Sequence, residues 1–405
     1  METTAIPKGY KRTEVGVIPS DWEVKPLGEI VDFLDGKRRP IKDSARAKMR
    51  GQYPYYGASG IIDFVNDYIF DDELILLGED GENILSRNVR LAFRVSDKIW
   101  VNNHAHVLKP KEEFDVDYLA EKLESINYEQ YNTGTAQPKL NQKTCWTIPV
   151  ALPPTLAEQR AIAAALHDAD ALISSLERLI AKKRSLKHGA MQTLLQPQAG
   201  WEVKKVGEVF KFLNTANNSR ADLFESGEIG YIHYGDIHTK WHCFLDCSKN
   251  ELPLIHANKV KGIPFLEEGD LIIADASEDY EGLAVSVEIK NIGDQKIVSG
   301  LHTLLLRGNK ELIADGFKGY FKNFYGVQNA LIAMATGVSV YGISKTNLKE
   351  IELYLPPLKE QTHIARILSD MDAEIEALER QLAKYRQIKQ GMMQNLLTGK
   401  IRLPH

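Results

Sequence analysis

The sequence predicts an α/β (α+β) fold, with two globular blocks separated by two long antiparallel coiled-coil helices and related as a pseudo-two-fold internal repeat. The evidence is duplication within the chain. The duplicated short segments are the opening motifs at 21–30 (DWEVKPLGEI) and 200–209 (GWEVKKVGEV) and the LPP tripeptides at 152–154 and 355–357. In addition, residues 158–195 match the chain 202 residues further on at 21 of 38 positions. The predicted parts are block 1 (1–151), spacer 1 (152–198), block 2 (199–354) and spacer 2 (355–405).

Composition narrows the class of protein. The chain of 405 residues is 43% hydrophobic and 26% charged, as in ordinary globular domains. No apolar run approaches the ~18 residues of a membrane span, and the N-terminal residues lack the apolar stretch of a signal peptide. Three cysteines are too few for a disulfide framework, so we expect a cytoplasmic protein with no membrane association. The net charge of −5 means that any nucleic-acid binding must rest on local patches.

Each block is predicted to mix short strands with one helix. The strand-like runs of block 1 are Ile61–Val65, Glu73–Leu77, Val89–Val95 and Ala105–Leu108, and its helical segment is Asp115–Tyr131. Those of block 2 are Ile229–Tyr234, Asp270–Ala274, Leu283–Ile289 and Leu301–Leu306, and its helical segment is Phe317–Met334. Between about residues 35 and 130, block 1 shares little sequence with block 2. The joints and spacers are therefore alike, whereas the blocks that they carry differ.

Block 1 contains a candidate phosphate-binding segment. Seven basic residues lie within 36–50 against one acid, a charge run that could follow a DNA backbone. The sequence YPYYGASG at 53–60 comes next, and its hydroxyl and glycine residues allow close approach to base edges. The alternative is a solvated face without a partner. The candidate DNA-contacting residues here are Lys37, Arg38, Arg39, Lys42, Arg46, Tyr55, Tyr56 and Ser59.

The spacers carry a heptad pattern that predicts helix pairing, because their apolar positions step alternately by four and three residues. The seam residues are Ile162, Leu166, Ile173, Leu176 and Ile180 in spacer 1 and Ile364, Leu368, Ile375, Leu378 and Leu382 in spacer 2. A seam of ~33 residues extends ~50 Å, and an apolar stripe of that length needs a partner. We predict that the two spacers pair with each other. The alternative is that each packs on its own block.

Block 2 has no comparable run of positive charge, and its candidates are polar or aromatic. Asn, Arg and Ser are residue types that pair with base edges. The candidate DNA-contacting residues of block 2 are Asn217, Asn218, Ser219, Arg220, Tyr231, His233, Lys240 and Trp241.

Motifs for catalysis and metal binding are not found in the sequence. It has no P-loop, no dinucleotide-binding glycine motif and no Asn/Asp-Pro-Pro-Tyr/Phe motif of adenine methyltransferases. Cys243 and Cys247 lack the second ligand pair of a zinc site. His104, His106 and His302 are interpreted as core or hydrogen-bonding residues. We therefore expect no catalytic residue, metal or cofactor in this chain.

Two alternative functions are left open by these patterns. One is a single-chain restriction nuclease, which would use Asp279, Glu288 and Lys290. The other is a coiled-coil adaptor that binds only proteins.

Several motifs resemble the specificity (S) subunits of type I restriction–modification systems. The pattern GYK, GVIP, WEV and LGE within 9–29 resembles the start of these subunits. LPPLKEQ at 355–361 and MQNLLTGK at 393–400 are similar to their helical regions, and YYGASG at 55–60 is similar to a segment of their target-recognition domains. The chain departs from the pattern after Leu195, where QPQ stands in place of TGK.

The resemblance implies that each block is a target-recognition domain that reads one half of a bipartite, asymmetric site in double-stranded DNA. The spacers would set the gap between the halves and dock two methyltransferase (M) subunits. These partners would bind S-adenosylmethionine and methylate adenine, and restriction (R) subunits would add cleavage driven by ATP and dependent on Mg²⁺. The implied role is defence against foreign DNA, with catalysis and cofactors in the partner subunits.

Overall fold

The computed structural model describes residues 6–224, 227–279, 282–337 and 341–404. The chain divides into two compact units, one formed by 1–178 with 380–405 and the other by 179–379. Each unit therefore contains one block, the first part of the spacer that follows this block and the last part of the other spacer. Among the described residues, no helix has the length and apolarity to cross a membrane.

The first unit is built from short strands around a long helix. Its strands are β1 (Tyr10–Thr13), β2 (Gly16–Pro19), β3 (Glu23–Pro26), β4 (Val31–Phe33), β5 (Arg50–Gly57), β6 (Gly60–Val65), β7 (Phe70–Asp71), β8 (Leu74–Gly78), β9 (Ala92–Val95), β10 (Lys98–Val101), β11 (Ala105–Pro110) and β12 (Pro149–Leu152). Its short helices are α1 (Leu27–Ile30), α2 (Asp43–Arg46), α3 (Asn83–Ser86), α4 (Val116–Glu124) and α5 (Gln142–Trp146). The long helix α6 (Leu156–Leu194) begins in this unit.

The second unit has a similar set of elements. Its strands are β13 (Glu202–Lys205), β14 (Phe210–Leu213), β15 (Ile229–Ile232), β16 (Cys243–Asp246), β17 (Leu254–Ile255), β18 (Leu271–Ala274), β19 (Ala276–Ser277), β20 (Ser286–Lys290), β21 (Ile297–Ser299), β22 (Thr303–Gly308), β23 (Tyr341–Gly342) and β24 (Glu352–Leu355). Its short helices are α7 (Val206–Val209), α8 (Tyr234–Thr239), α9 (Val327–Met334) and α10 (Lys345–Lys349). The long helix α11 (Leu358–Leu396) begins here.

The sheets show that the two blocks share a common core of strands despite their different sequences, although block 2 adds the edge strand β16, parallel to β20. In the first unit the main sheets have the orders β4-β11-β8-β9 and β6-β5-β10-β7, and in the second they are β14-β22-β18-β20-β16 and β17-β15-β21. Strand β5 runs parallel to β10, as β15 runs parallel to β21. In each unit the strand before the long helix pairs with the opening motif, β12 with β3 and β24 with β13. The duplication therefore extends through the blocks.

The strand predictions are confirmed where the runs are apolar. The predicted strands at 61–65, 73–77, 105–108, 270–274 and 301–306 are β6, β8, β11, β18 and β22, with ends that differ by at most two residues. The runs at 89–95 and 283–289 begin three residues later, as β9 and β20. The prediction of strand as far as Tyr234 is wrong, because helix α8 begins at that residue and His233 caps it through the amide of Gly235.

The two helical segments inside the blocks are shorter than predicted. Helix α4 is capped by Asp115, whose carboxylate accepts the amide of Tyr118 at 2.9 Å, but it ends at Glu124. The segment predicted as helix at 317–334 is a 3₁₀ helix over Lys318–Asn323 followed by α9. Gly326 separates these two helices with φ of 76°, a left-handed conformation that a continuous α-helix does not allow.

Each core joins the block to its long helices. In the first unit, Trp22 and Tyr118 pack in one apolar cluster with Ile162 and Leu166 of α6, and Leu396 of α11 belongs to the same cluster. In the second unit the equivalent cluster contains Ile364 and Leu368 of α11 together with Leu195. The alternative prediction, that each spacer packs on its own block, is therefore correct for the first turns of both helices.

A duplicated glutamine fastens each long helix to its own block. The Gln159 amide oxygen accepts the backbone amide of Asp115 at 2.8 Å, and the Gln361 amide oxygen accepts that of Ala314 at 2.8 Å. Both side chains are buried, and both donate back to the carbonyl of a proline in the preceding LPP tripeptide. Proline holds the residue before it in an extended conformation, so strand and helix meet at this joint in the same way twice.

Candidate nucleic-acid interface and helix pairing

The basic segment of block 1 separates into internal and exposed cations. The Arg38 side chain is 14% exposed, and its guanidinium lies 2.6 Å from Glu79 and donates to the Ala105 carbonyl at 2.7 Å. The Arg46 side chain is 15% exposed and pairs with Asp63 at 2.9 Å. Their charge is therefore compensated within the block, and the contact of both residues with phosphates stays a prediction.

The remaining cations of this segment face solvent. Lys37 lies at the end of a 3₁₀ turn, and Lys42 directly precedes α2. The backbone carbonyl of Arg39 accepts the indole N–H of Trp100, which fixes the loop, while the Arg39 guanidinium is exposed. Lys48 and Arg50 are exposed as well. Flexible exposed cations on an anchored loop suit contacts with phosphates, so these residues stay candidates.

Two of the predicted DNA-contacting residues, Tyr55 and Tyr231, are buried equivalents in the two blocks, at 2% and 0% exposure. The Tyr55 hydroxyl accepts the amide of Ile41 at 3.0 Å, and the Tyr231 hydroxyl donates to the Asn218 carbonyl at 2.7 Å. Each ring thus anchors the loop that carries the candidate polar residues. The prediction that these two side chains contact DNA is corrected, because they support the loop from beneath.

The turn between β5 and β6 presents the other candidates of block 1. Ser59 is exposed at the turn, and Tyr56 is half-buried against the ring of Phe93, with a pKa raised by burial. Ile61 and Ile62 follow the turn, and both side chains are more than half exposed. On a surface that binds DNA, solvent-exposed apolar side chains suit contacts with the methyl groups of thymine.

A buried aspartate organises the candidates of block 2. Asp236 on α8 is almost completely buried, and it pairs with Lys240 at 2.9 Å and with Arg220 at 3.2 Å. Both cations are themselves exposed, so the carboxylate holds them at the surface. Asn217 and Ser219 lie exposed beside Arg220, and Ser219 caps the 3₁₀ turn there.

Other candidates of block 2 lie further inside. Asn218 is half-buried and contributes its carbonyl to the Tyr231 contact. The predicted contact of Trp241 with DNA is corrected, because its ring lies in the core and its indole N–H donates to Asn250 at 3.1 Å. His233 is buried too, and burial followed by the nearby Arg220 lowers its pKa.

A cluster of Asp35, Glu79 and His106 has the residue types of a metal site, with ligand atoms within 4.8 Å of one another. Its two carboxylates are already paired with a cation, because the Arg38 guanidinium lies 3.5 Å from Asp35 and 2.6 Å from Glu79. The His106 Nδ1 lies 2.6 Å from Asp35, and its Nε2 lies 2.8 Å from the Leu140 carbonyl. Burial opposes the charge, but the hydrogen bonds to Asp35 and Cys145 raise the pKa of His106 to about 10. With Arg38, the cluster is a buried ion-pair network.

Two of the three residues proposed for a nuclease, Glu288 and Lys290, are engaged in structural contacts. Glu288 is fully buried, and its two oxygens accept the amides of Gly316 at 2.6 Å and Gly319 at 2.8 Å. Lys290 lies over the ring of Phe244, 3.4 Å from its centroid. This geometry does not support the nuclease alternative.

Cys145 and Cys247 are buried, whereas Cys243 is half-buried, and burial raises the pKa of both Cys243 and Cys247 to about 11. Within the described residues, none of the three belongs to a group of side chains that could hold a metal ion.

All ten predicted seam residues of the spacers are buried or half-buried. Those most fully buried are Ile162, Leu166, Leu176, Ile180, Ile364, Leu368 and Ile375, and those half-buried are Ile173, Leu378 and Leu382. Within each unit, the parts of α6 and α11 are joined by ion pairs in which residue numbers rise along one helix as they fall along the other. The predicted antiparallel pairing is therefore confirmed inside each unit.

The ion pairs between the helices are contacts that the sequence analysis did not predict. In the first unit Lys389 pairs with Asp170 and Arg386 with Glu177, each within 2.6 Å. The equivalents 202 residues away pair in the second unit, Lys187 with Asp372 and Arg184 with Glu379. The sequence contained a signal for these pairs, because the residue types at the four positions are identical in the two spacers.

The comparison with known proteins also divides the chain into two similar parts. The sequence profile of the family described as type I restriction modification DNA specificity domain matches residues 19–183 and again 198–385. A protein of Haemophilus influenzae named as a type I restriction enzyme specificity subunit is 28% identical over 364 residues, which cover 87% of this chain and 88% of the relative. The MjaVIII specificity subunit of Methanocaldococcus jannaschii is 25% identical over 417 residues, with 95% and 94% covered.

Solved structures show the same fold. The S subunit of a type I restriction–modification system from M. genitalium superposes with a TM-score of 0.60 at 14% identity, covering 93% of this chain and 96% of that one. A second chain, from a study of assembly and conformational transition in the type I system, gives a TM-score of 0.56 at 15% identity and covers 95% and 99%.

Proposed function

This chain belongs to the type I restriction–modification DNA specificity family, and from that premise we propose that it selects the DNA sequence on which a methylating and restricting complex acts. Each block reads one half of a bipartite, asymmetric site in double-stranded DNA. The observation that carries the proposal is that the two blocks share a common core of strands and have different surfaces. A repeated fold provides two equivalent platforms, and the unlike residues on them read unlike half-sites.

The exposed side chains support this division of roles. Block 1 offers Lys37, Arg39 and Lys42 for phosphates and Ser59 for a base edge. Block 2 offers Arg220 and Lys240, held by Asp236. Phosphate contacts position a protein on the duplex, and base contacts give specificity.

Catalysis and cofactors are assigned to partner subunits. Two M subunits would bind S-adenosylmethionine and methylate an adenine in each half-site, and R subunits would use ATP and Mg²⁺ to cleave. The proposal that this chain is not itself an enzyme is supported by Glu288, whose two carboxylate oxygens both accept backbone amides.

The paired helices are proposed to set the gap between the half-sites and to dock the M subunits. The apolar seam and the ion pairs of matching register hold the two helices together, as a spacer requires. The net charge of −5 limits the affinity of this chain alone for DNA, so the partner subunits would supply further contacts with DNA. Because the substrate is DNA inside the cell, we place the complex in the cytoplasm.

The experiment that tests this proposal is a selection from a pool of random DNA duplexes by the full chain, alone and with the two M subunits. We expect enrichment of two short half-sites at one constant separation. Enrichment of a single contiguous motif, or no DNA binding with or without M subunits, would contradict the proposal and favour the adaptor alternative.

A further inference from the structure

Two histidines occupy the same place in the two blocks. His104 directly precedes β11 and His302 directly precedes β22, the central strands of equivalent sheets. The register confirms the match, because the amides two residues before them, at Asn102 and Gly300, donate to the equivalent strands β5 and β15 at 3.0 and 2.9 Å. Both blocks therefore have a histidine at this position, although their other surface residues differ.

Each histidine is oriented by an aspartate beyond the neighbouring strand. The His104 Nδ1 lies 2.8 Å from Asp80, and the His302 Nδ1 lies 3.2 Å from Asp275. Both side chains are about half exposed, at 49% and 53%. Within the described residues, the Nε2 atom of neither ring has a hydrogen-bond partner. A fixed ring that presents a single nitrogen to solvent suits a ligand contact.

The surroundings place each histidine beside candidate DNA contacts. His104 lines a shallow surface depression with the turn 57–62, which carries Ser59. His302 lies against the ring of Tyr234, 5.3 Å between centroids, at the start of the helix that carries Asp236. The two histidines therefore lie on the same surfaces as the exposed polar residues of their blocks.

We infer that His104 and His302 bind backbone phosphates of the two half-sites through Nε2, with Asp80 and Asp275 as positioning residues. The inference rests on the proposed function and adds residues to it. Half-sites that differ in bases still share a phosphate backbone, so a residue common to both readers suits the shared feature. A phosphate oxygen only accepts hydrogen bonds, and the aspartate accepts the Nδ1 proton, so the bound ring donates from both nitrogens.

The test uses the full chain with its M subunits and the variants His104→Asn and His302→Asn. Asparagine is chosen because His302 has φ of 53°, a left-handed conformation that asparagine tolerates better than alanine. Affinity for a random-sequence 40-base-pair duplex is measured across KCl concentrations, and the preferred sequence is measured by selection. The exposed block 2 variant His242→Asn is the matched control, and His104→Lys is the rescue variant, because only His302 of the pair has the left-handed φ.

We expect each asparagine variant to bind every sequence about tenfold more weakly, to lower the salt slope by about one, and to keep the preferred sequence. The variant His104→Lys should restore both affinity and slope. A changed base at one position of one half-site would overturn the phosphate assignment. A lowered melting temperature with an unchanged salt slope would assign a structural role and overturn it as well. If the unaltered complex failed to bind DNA, the proposed function itself would fall.

Discussion

The ammonium of Lys389 lies 2.5 Å from the carboxylate of Asp170, and the same pair recurs 202 residues away between Lys187 and Asp372. In each unit, the lysine lies in the last part of one long helix and the aspartate lies in the first part of the other. The apolar seam would accept several registers, one heptad apart. Charged pairs at defined positions select one of them, and this is the role of such pairs in coiled coils.

Reversing one charge should therefore destabilise the pairing, and reversing both should restore it. We expect Asp170→Lys or Lys389→Asp alone to lower the free energy of unfolding by about 1 kcal/mol, since the pair is only partly buried. The double variant should recover part of this loss in urea unfolding, because each reversed charge also lies near a like charge, Arg90 at position 170 and Glu121 at position 389.

The exposed pair formed by Arg366 and Asp370 within α11 is the control, and its reversal should change stability by less than ~0.5 kcal/mol. Additive effects of the two reversals at 170 and 389 would show that the pair does not couple the helices.

Neighbouring arginines of block 1 should behave in opposite ways. Arg38→Ala leaves Asp35 and Glu79 with one partner fewer in a partly buried network and should cost about 3 kcal/mol of stability. Arg39→Ala removes an exposed cation, so stability should change by less than ~0.5 kcal/mol while the salt slope of DNA binding falls by about one. Thermal unfolding and a salt titration separate the two effects. An unaltered slope for Arg39→Ala would remove this segment from the interface.

The His106 network predicts a pH dependence of stability. The folded-state pKa of about 10 lies above the ordinary 6.5, so the stabilisation by this group is complete below about pH 6.5 and is lost as pH rises through about 10. Relative to His106→Gln, the protein should be more stable by about 3 kcal/mol at pH 6.5, and this difference should shrink towards pH 10. Lys122, whose pKa is lowered to about 8 by burial, contributes equally to both proteins and cancels. A difference in melting temperature that is constant with pH would refute this interpretation.

Lengthening both long helices by one heptad should change the gap without changing the half-sites. Seven residues inserted after Arg178 and seven after Arg380 keep the seam in register and add ~10 Å at 1.5 Å per residue. At ~3.4 Å per base pair, the gap should widen by about three base pairs. Selection from random duplexes measures this, and unchanged spacing with intact half-sites would show that the helices do not set the gap.

The sequence predicted the repeat and the long helices because both depend on local pattern. The predicted seam runs through α6 and α11, and the helices begin directly after the LPP tripeptides. Strand β5 was missed because Pro54 and the adjacent tyrosines conceal its alternation of buried and exposed residues. Helix α4 is shorter than predicted because the chain turns at Ser125, where the side chain binds the Lys122 carbonyl.

The candidate interface was predicted less well, because residue type alone does not decide exposure. Tyr55 was assigned to DNA for its hydroxyl, but that hydroxyl is used by Ile41, 14 residues away in sequence. Arg38 belongs to a charge run, yet its partner Glu79 lies 41 residues further on. Contacts across such separations depend on the sheet topology, which a charge pattern does not contain.

The most direct test of the account is the DNA methylation pattern of cells that produce this chain with its M subunits. Residues 35–130 are replaced by those of a relative with a different block 1, and the methylated sites are mapped by sequencing. The account predicts one altered half-site, with the other half and the gap unchanged. If both half-sites changed, or if neither did, the result would contradict the claim that each block recognises one half-site.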